Sequence, residues 1–260
     1  MNIRKHIPDS ITSMNLLCGV MGVILTLGGR PDWGFILMIS GAVFDFFDGF
    51  AARMLNASSG IGKELDSLAD MVSFGVLPSV MLYATGGSNV LFLKYFPLIL
   101  AAFSALRLAK FNLDERQHES FLGLPTPSAA MVCGALACYV FHEPDSLLSS
   151  WCQGPVFLQA LSLGLSLLLV SEIPMFSMKF GGGNKASKTE NLKRIIFIAV
   201  VLAVVLLVVV FRLHWSLIFL TAFTGYILIN LAFIPFGHSE RSTCHSERGT
   251  CHSERSEESK

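Results

Sequence analysis

The amino-acid sequence predicts an all-α fold, a polytopic membrane helix bundle of about eight transmembrane helices. Of the 260 residues, 52% are hydrophobic and only 15% are charged, whereas soluble domains average about 25% charged residues. The mean hydropathy is +0.59. Apolar runs approaching about 20 residues recur, which is the length that a helix needs to cross a hydrocarbon core of roughly 30 Å. We therefore expect membrane lipid, and no nucleic acid, among the partners.

The apolar runs define eight predicted spans, at about 11–28, 33–55, 66–84, 91–111, 124–142, 156–176, 194–211 and 214–235. Basic residues precede the first span, but no small-residue cleavage site follows it, so we interpret it as a retained span rather than a signal peptide. The seventh span has no polar residue in its interior and is expected to face lipid.

Positive charges are distributed asymmetrically over this predicted topology. With the N-terminus in the cytoplasm and eight crossings, sixteen of the 19 lysines and arginines fall at cytoplasmic positions. Only Arg30, Lys94 and Arg212 fall outside. Because cytoplasmic loops carry an excess of Lys and Arg, both termini are predicted to be cytoplasmic, in a multi-pass protein of the bacterial inner membrane.

The six cysteines match no zinc-finger spacing. Cys18, Cys133 and Cys138 lie in predicted spans, where a small, polarisable packing residue is expected. The end of the chain, HSERSTCHSERGTCHSERSEESK, repeats with a seven-residue period from His238. This is typical of a disordered low-complexity tail, and soft-metal binding by its Cys-His pairs is the lesser alternative.

Four aspartates lie beside or inside apolar segments, in the stretch DFFDGFAARMLNASSGIGKELDSLAD at 45–70. Asp45, Asp48 and Gly49 are spaced i, i+3, i+4, so they share one face of a helix. Asp66 and Asp70 are spaced i, i+4 on the next span and share a face too. The glycines and serines between the two pairs favour a tight break between helices. We therefore expect the four carboxylates to converge.

Converging carboxylates near a bilayer require cations, because each unpaired one costs roughly 2.5–3.5 kcal/mol at the bilayer centre. A hard divalent ion, Mg²⁺ or Mn²⁺, suits a site of oxygen ligands without His or Cys. Four carboxylates suit two ions that share ligands, and paired divalent ions suit displacement at phosphorus. Arg53 is a candidate for binding phosphate oxygens.

The complete pattern is Asp45-x-x-Asp48-Gly49-x-x-Ala52-Arg53, then, after eight residues, Gly62-x-x-x-Asp66-x-x-x-Asp70. With every position present, it resembles the signature of the CDP-alcohol phosphotransferase family over roughly residues 7–235. Such enzymes move a phosphatidyl or related group from a CDP-linked donor to an alcohol and release CMP.

The resemblance implies a role for each signature residue. The aspartates, Asp45, Asp48, Asp66 and Asp70, would hold two divalent ions at the donor's pyrophosphate. Asp70 would also be the general base that takes the acceptor's hydroxyl proton. The positions that would contact the CDP-linked lipid are Asp45, Gly49, Arg53 and Ser59. For Ser59 a turn-forming role is the structural alternative. A homodimer is a further implication of the family.

Three other stretches resemble segments of the family's bacterial phosphatidylserine synthases: IPDSITSMNLLCG near the start, RLAKFN at 107–112 and FLGLPTP at 121–127. That resemblance implies CDP-diacylglycerol as donor and L-serine as acceptor. A bidentate guanidinium suits the serine carboxylate, so Arg107, Asn112 and Thr126 are the candidate serine-binding residues. The structural alternatives are membrane anchoring for Arg107 and an N-terminal helix cap for Thr126.

These inferences predict five parts of the chain. They are a cytoplasmic N-terminal segment at 1–10, a catalytic six-helix core at 11–176, a cytoplasmic loop at 177–193, two additional spans at 194–235 and the tail at 236–260. The active site is expected on the cytoplasmic side. Two alternatives stay open: a sibling transferase that uses glycerol 3-phosphate or inositol, and, more remotely, a divalent-cation transporter.

Overall fold

The computed structural model describes residues 3–55, 60–87, 90–113, 121–175 and 188–232. Within these ranges the α-helices are α1 Ile3–Leu27, α2 Pro31–Met54, α3 Gly60–Asp70, α4 Leu77–Thr85, α5 Leu91–Tyr95, α6 Ile99–Leu113, α7 Thr126–His142, α8 Leu147–Gln153, α9 Phe157–Val170, α10 Lys188–Phe211 and α11 Ser216–Ala232. A π-helix, Met71–Val76, joins α3 to α4, and a 3-10 helix, Phe96–Leu98, joins α5 to α6.

The helices confirm the prediction of a polytopic helix bundle. Among the described residues, four helices are long and apolar enough to cross a membrane: Ile7–Leu27, Pro31–Met54, Gly60–Thr85 and Phe92–Leu113. The pair α8 and α9, bent by 85°, is a candidate fifth span. The shorter apolar helices are Thr126–His142, Val201–Phe211 and Ser216–Ala232. Each of the eight predicted spans coincides with one of these helices.

The sixth span ends earlier than the sequence predicts. Helix α9 ends at Val170 instead of continuing to 176, because Pro174 lacks a backbone N–H and disfavours helical geometry in the residue before it. The chain there forms a two-residue antiparallel ladder, β1 Phe121–Leu122 with β2 Pro174–Met175. This ladder, which the sequence did not predict, ties the segment before α7 to the end of α9.

Helix α7 lies at the centre of the bundle, and every residue from Ser128 to Cys138 is buried. It contacts α2, α4 and α11. Its small side chains permit close helix packing: a Cβ at Gly134 would lie only 2.6 Å from Cδ2 of Phe35. Helix α7 therefore joins the second and third spans to the last one.

Helix α11 packs on this core, where its Tyr226 and Ile227 are buried, and α10 packs on α11. In α10, the described leucines at 202, 206 and 207 are exposed, which agrees with the expectation that this apolar helix faces lipid. The boundary between a six-helix core and two additional spans stays a prediction, as does the structure of the tail, which lies outside the described residues.

Candidate active site

Three of the predicted aspartates form a compact group, which we call the acidic cluster: Asp45, Asp48 and Asp66. One carboxylate oxygen from each lies within 4.8 Å of the others. The carboxyl groups of Asp45 and Asp66 are within hydrogen-bonding distance of each other. Oδ1 of Asp66 is buried without a hydrogen-bond partner in the described structure. The predicted convergence of carboxylates from α2 and α3 is therefore found for these three aspartates.

Asp70 lies beside the acidic cluster rather than within it. Its carboxylate interacts electrostatically with those of Asp45 and Asp66. The side-chain amide of Asn15 donates a hydrogen bond from Nδ2 to Oδ1 of Asp70, with an N···O distance of 3.2 Å. The half-buried Asp70 carboxylate, which the Asn15 amide holds, is therefore distinct from the three carboxylates of the acidic cluster.

Two residues of α1 support these aspartates and were missed by the sequence reasoning. The hydroxyl of Thr12 donates to Oδ2 of Asp48 at 2.6 Å, and Asn15 holds Asp70. Both side chains are buried, with 3% of Thr12 and 0% of Asn15 exposed. The sequence does contain a signal for them: two polar residues spaced i, i+3 in an apolar span need polar partners within the bundle.

The π-helix begins immediately after Asp70. Its wider turn changes the direction of the side chains that follow, and π-helical turns are frequent at functional sites. Ser73 within it is buried and donates from Oγ to the carbonyl oxygen of Asn15 at 3.0 Å. The same α1 residue therefore contacts Asp70 through its side chain and the π-helix through its backbone.

The predicted donor-binding residues lie on the outer part of this face of α2. A Cβ built at Gly49 would meet no atom of the described residues within 4 Å, so this part of the structure leaves open space beside Asp48. Nε of the exposed Arg53 donates to the carbonyl oxygen of Gly49 at 2.9 Å. Ser59 lies outside the described residues.

Arg107, the leading candidate for serine binding, is buried next to Asp70. Only 8% of it is exposed, and its guanidinium interacts electrostatically with the Asp70 carboxylate. Nε donates to the carbonyl oxygen of Leu124 at 2.5 Å, and Nη1 donates to Oγ1 of Thr126 at 3.3 Å. Thr126 itself is fully buried. These contacts fix the guanidinium between α6 and the start of α7.

Asn112 and Lys110 lie near the same end of α6. Nδ2 of Asn112 donates to Oγ of Ser67 at 2.9 Å, which places the amide beside the helix that carries Asp66 and Asp70. The ammonium of Lys110 forms an ion pair with Glu172 at 3.1 Å. The lysine is therefore neutralised by a carboxylate from the segment after α9.

The acidic cluster fits a divalent cation. Its ligands are hard carboxylate oxygens from adjacent helices, and one of them is buried and unpaired. Neither ion pair found among the described residues, Arg30–Asp32 or Lys110–Glu172, involves the cluster. Two carboxyl groups in contact need a proton or a cation between them, because like charges at this range repel strongly.

A glycine-to-alanine substitution in α2 tests the support of Asp70 by Asn15. A Cβ at Gly41 would lie 2.8 Å from Oδ1 of Asn15, so Gly41→Ala must displace the amide that holds Asp70. We expect kcat to fall about 10- to 100-fold, the scale of a misplacement of about 1 Å. Gly164→Ala is the control, since no atom lies within 4 Å of its Cβ position. A folded Gly41→Ala protein with normal kcat would show that Asn15 does not position Asp70.

Comparisons with known proteins identify the family of this chain. Residues 5–170 match the family model described as CDP-alcohol phosphatidyltransferase. A CDP-diacylglycerol–serine O-phosphatidyltransferase of Bacillus subtilis is 36% identical over 170 residues, which cover 65% of this chain and 89% of that protein. The enzyme of the same name from Mycobacterium leprae is 37% identical over 180 residues, 66% of this chain and 58% of the relative. The one from Saccharomyces cerevisiae is 37% identical over 153 residues, 51% of this chain and 54% of the relative. This chain therefore belongs to the CDP-alcohol phosphatidyltransferase family.

Proposed function

We propose that this protein is a phosphatidylserine synthase, which transfers the phosphatidyl group of CDP-diacylglycerol to the hydroxyl of L-serine and releases CMP. The observation that carries the proposal is the convergence of the signature carboxylates from α2 and α3 within 4.8 Å, in a chain whose relatives include CDP-diacylglycerol–serine O-phosphatidyltransferases.

The reaction is a displacement at the β-phosphorus of the donor. The serine oxygen forms a new bond to that phosphorus, and the bond between the phosphorus and the bridging oxygen breaks, so CMP leaves with the electron pair. Asp70 is the general base that accepts the serine hydroxyl proton. The hydrogen bond from Asn15 orients the Asp70 carboxylate for this role.

Two divalent ions, Mg²⁺ or Mn²⁺, are the cofactors we assign to Asp45, Asp48, Asp66 and Asp70. When bound, they would neutralise the pyrophosphate and the charge on the departing CMP. Thr12, which donates to Asp48, fixes the orientation of one carboxylate. Such supporting hydrogen bonds set the direction in which ligand oxygens point.

Donor binding is assigned to the face of α2 that carries Asp45, Gly49 and Arg53, and Ser59 remains a predicted contact. The open space at Gly49 leaves room for the donor near the backbone. An apolar groove of about 410 Å³ lies between α1 and α2, lined by Ile11, Phe44, Phe47, Phe50, Ala51, Met54 and Leu55. An acyl chain of a diacylglycerol suits such a groove, since it has the apolar surface that these side chains would bury.

Serine binding is assigned to Arg107, with Asn112 on the same helix as a second polar contact. A guanidinium has five N–H donors, more than the two contacts with Leu124 and Thr126 use. It can therefore bind the serine carboxylate while staying fixed. Thr126, which is fully buried, contributes by holding Arg107.

Arg107→Ala should raise the serine KM more than the CDP-diacylglycerol KM. We expect about a 10- to 100-fold increase, because hydrogen bonds to charged groups contribute about 1.5–3 kcal/mol and 1.4 kcal/mol corresponds to a factor of ten. Thr126→Val should raise the serine KM by less, since it removes only one support of the guanidinium. Thr26→Val, another buried threonine, is the matched control. Equal increases in both KM values would instead indicate a structural role for Arg107.

The acceptor is tested by supplying purified protein with CDP-diacylglycerol and either L-serine, glycerol 3-phosphate or inositol, and measuring CMP release. We expect CMP release with L-serine and not with the other two alcohols. An enzyme that uses glycerol 3-phosphate needs additional cationic side chains to bind the phosphate of this acceptor. Lys110, one candidate for that role, is already paired with Glu172. Release with glycerol 3-phosphate or inositol in place of serine would favour the sibling transferase.

The orientation follows from the excess of cytoplasmic lysines and arginines in the sequence: both termini and the acidic cluster face the cytoplasm, where CDP-linked donors and serine are available. A homodimer stays a prediction from the family. The divalent-cation transporter finds no support, since the matched family and the relatives named above are transferases. Metal uptake into proteoliposomes without CMP release would revive that alternative.

A further inference from the structure

We propose that Cys138, His142 and His214 form a binding site for one borderline transition-metal ion of the Zn²⁺ type, at the end of the bundle opposite the acidic cluster. One ligand atom from each of these three side chains, a thiol sulfur and two imidazole nitrogens, lies within 4.8 Å of the others.

The site is built from two separate parts of the chain. Cys138 and His142 are spaced i, i+4 near the end of α7, so they share one face of that helix. His214 lies just before α11, after a turn in which Arg212 adopts φ +51. The imidazole rings of His142 and His214 are stacked with their centroids 4.2 Å apart. Packing of α11 on α7 therefore brings the third ligand to the first two.

The hydrogen bond that Nδ1 of His142 makes favours metal binding through Nε2 of that ring. Nδ1 of His142 lies 3.0 Å from the carbonyl oxygen of Cys138. Because a carbonyl only accepts, this nitrogen must carry the proton, which leaves Nε2 of the neutral ring with a free lone pair. Nδ1 of His214 lies 2.8 Å from Oγ of Ser216 and accepts a hydrogen bond from the backbone N–H of Ser216 at 3.4 Å. Binding of a metal through Nε2 of this ring therefore moves the ring proton to Nδ1, where Oγ of Ser216 can accept it. Metal-bound histidines almost always make such a bond with the other ring nitrogen.

The ligand set selects the class of metal. One thiolate and two imidazoles suit Zn²⁺ and copper, whereas Mg²⁺ and Mn²⁺ prefer oxygen ligands. Bond lengths of about 2.0–2.3 Å place the ligand atoms around one tetrahedral ion about 3.3–3.8 Å apart, which is compatible with three ligand atoms that lie within 4.8 Å of one another. His142 is exposed, which leaves it free to move and gives the ion access from solvent.

The site is separate from the acidic cluster. Helix α7 begins at Thr126, beside Arg107, and His142 ends it. Sixteen residues of helix correspond to about 24 Å. The carboxylate that interacts with both Cys138 and His142 is Asp32, at the start of α2, which is paired with Arg30. The catalytic aspartates are therefore not ligands of the proposed ion.

The test uses Co²⁺ as a spectroscopic probe for Zn²⁺ in the purified full-length chain. Cys244→Ser and Cys251→Ser are introduced first, because the tail carries its own Cys-His pairs. We expect a thiolate-to-Co²⁺ charge-transfer band that saturates at one equivalent and is abolished by Zn²⁺. The acidic cluster offers only oxygen ligands, so Co²⁺ bound there does not produce this band.

Variants locate the ion. Cys138→Ser should abolish the band, whereas Cys133→Ser, which replaces another buried thiol of α7, should leave it intact. Ser216→Ala, which removes the partner of His214 Nδ1, should weaken Zn²⁺ affinity about tenfold or more. His142→Gln and His214→Gln repeat the test if Cys138→Ser fails to elute as a folded protein in size-exclusion chromatography. The absence of a thiolate band in the parent protein, or its persistence in Cys138→Ser or in both histidine variants, would overturn the proposal.

Discussion

Asp70→Asn should lower kcat by about 10²- to 10⁴-fold, the range that a positioned general base contributes. An asparagine side chain has the same shape as aspartate but cannot accept the proton of the serine hydroxyl. It retains an oxygen that can accept the hydrogen bond from Nδ2 of Asn15, which is 3.2 Å from the Asp70 carboxylate. The substitution therefore removes proton transfer and preserves the local hydrogen bond.

The measurement is CMP release under saturating serine, together with binding of CDP-diacylglycerol. Donor affinity should stay within a few-fold of that of the unaltered protein, because the three carboxylates that converge within 4.8 Å are retained and the asparagine keeps one oxygen that can still bind a metal ion. Asp32→Asn is the matched control, since Asp32 belongs to an ion pair at the other end of α2. A normal kcat in Asp70→Asn would remove this residue as the base. Loss of donor binding would indicate instead that Asp70 is mainly a metal ligand.

The features that the sequence predicts well are those within a single helix. The period of an α-helix fixes which residues share a face, so the side-by-side placement of Asp45 with Asp48, and of Asp66 with Asp70, follows from their spacing. The convergence of the two pairs also follows, because only a short break separates their helices and the carboxylates need a common cation. The structure bears this out for Asp45, Asp48 and Asp66.

Contacts between helices that are distant in the sequence were not predictable in the same way. Asn15 meets Asp70 across 55 positions, and the register between α1 and α3 depends on packing, not on periodicity. The π-helix after Asp70 has no recognised signal in the residues Met71–Val76. The proximity of Cys138 and His142 to His214 was likewise not predictable, because His214 belongs to a different part of the chain.

Asp66→Ala should abolish metal-dependent CMP release and at the same time stabilise the metal-free protein. Oδ1 of Asp66 is buried without a partner, and its carboxyl group is in contact with that of Asp45. In the absence of cations, this contact is repulsive or requires a shared proton. Removing one carboxylate relieves that unfavourable interaction, as expected where function requires a locally destabilised site.

Thermal unfolding with and without Mn²⁺ distinguishes the loss of a metal ligand in Asp66→Ala from a general loss of structure. In the unaltered protein, Mn²⁺ at 100 times its dissociation constant should stabilise the folded state by about 2.7 kcal/mol, and a chelator should remove both this gain and the activity. Asp66→Ala should melt at a higher temperature than the unaltered protein in chelator and gain little from Mn²⁺. Asp32→Asn should respond to Mn²⁺ as the unaltered protein does. CMP release that persists in chelator would refute the metal site, whereas a lower melting temperature for Asp66→Ala would show that its carboxyl group stabilises the bundle.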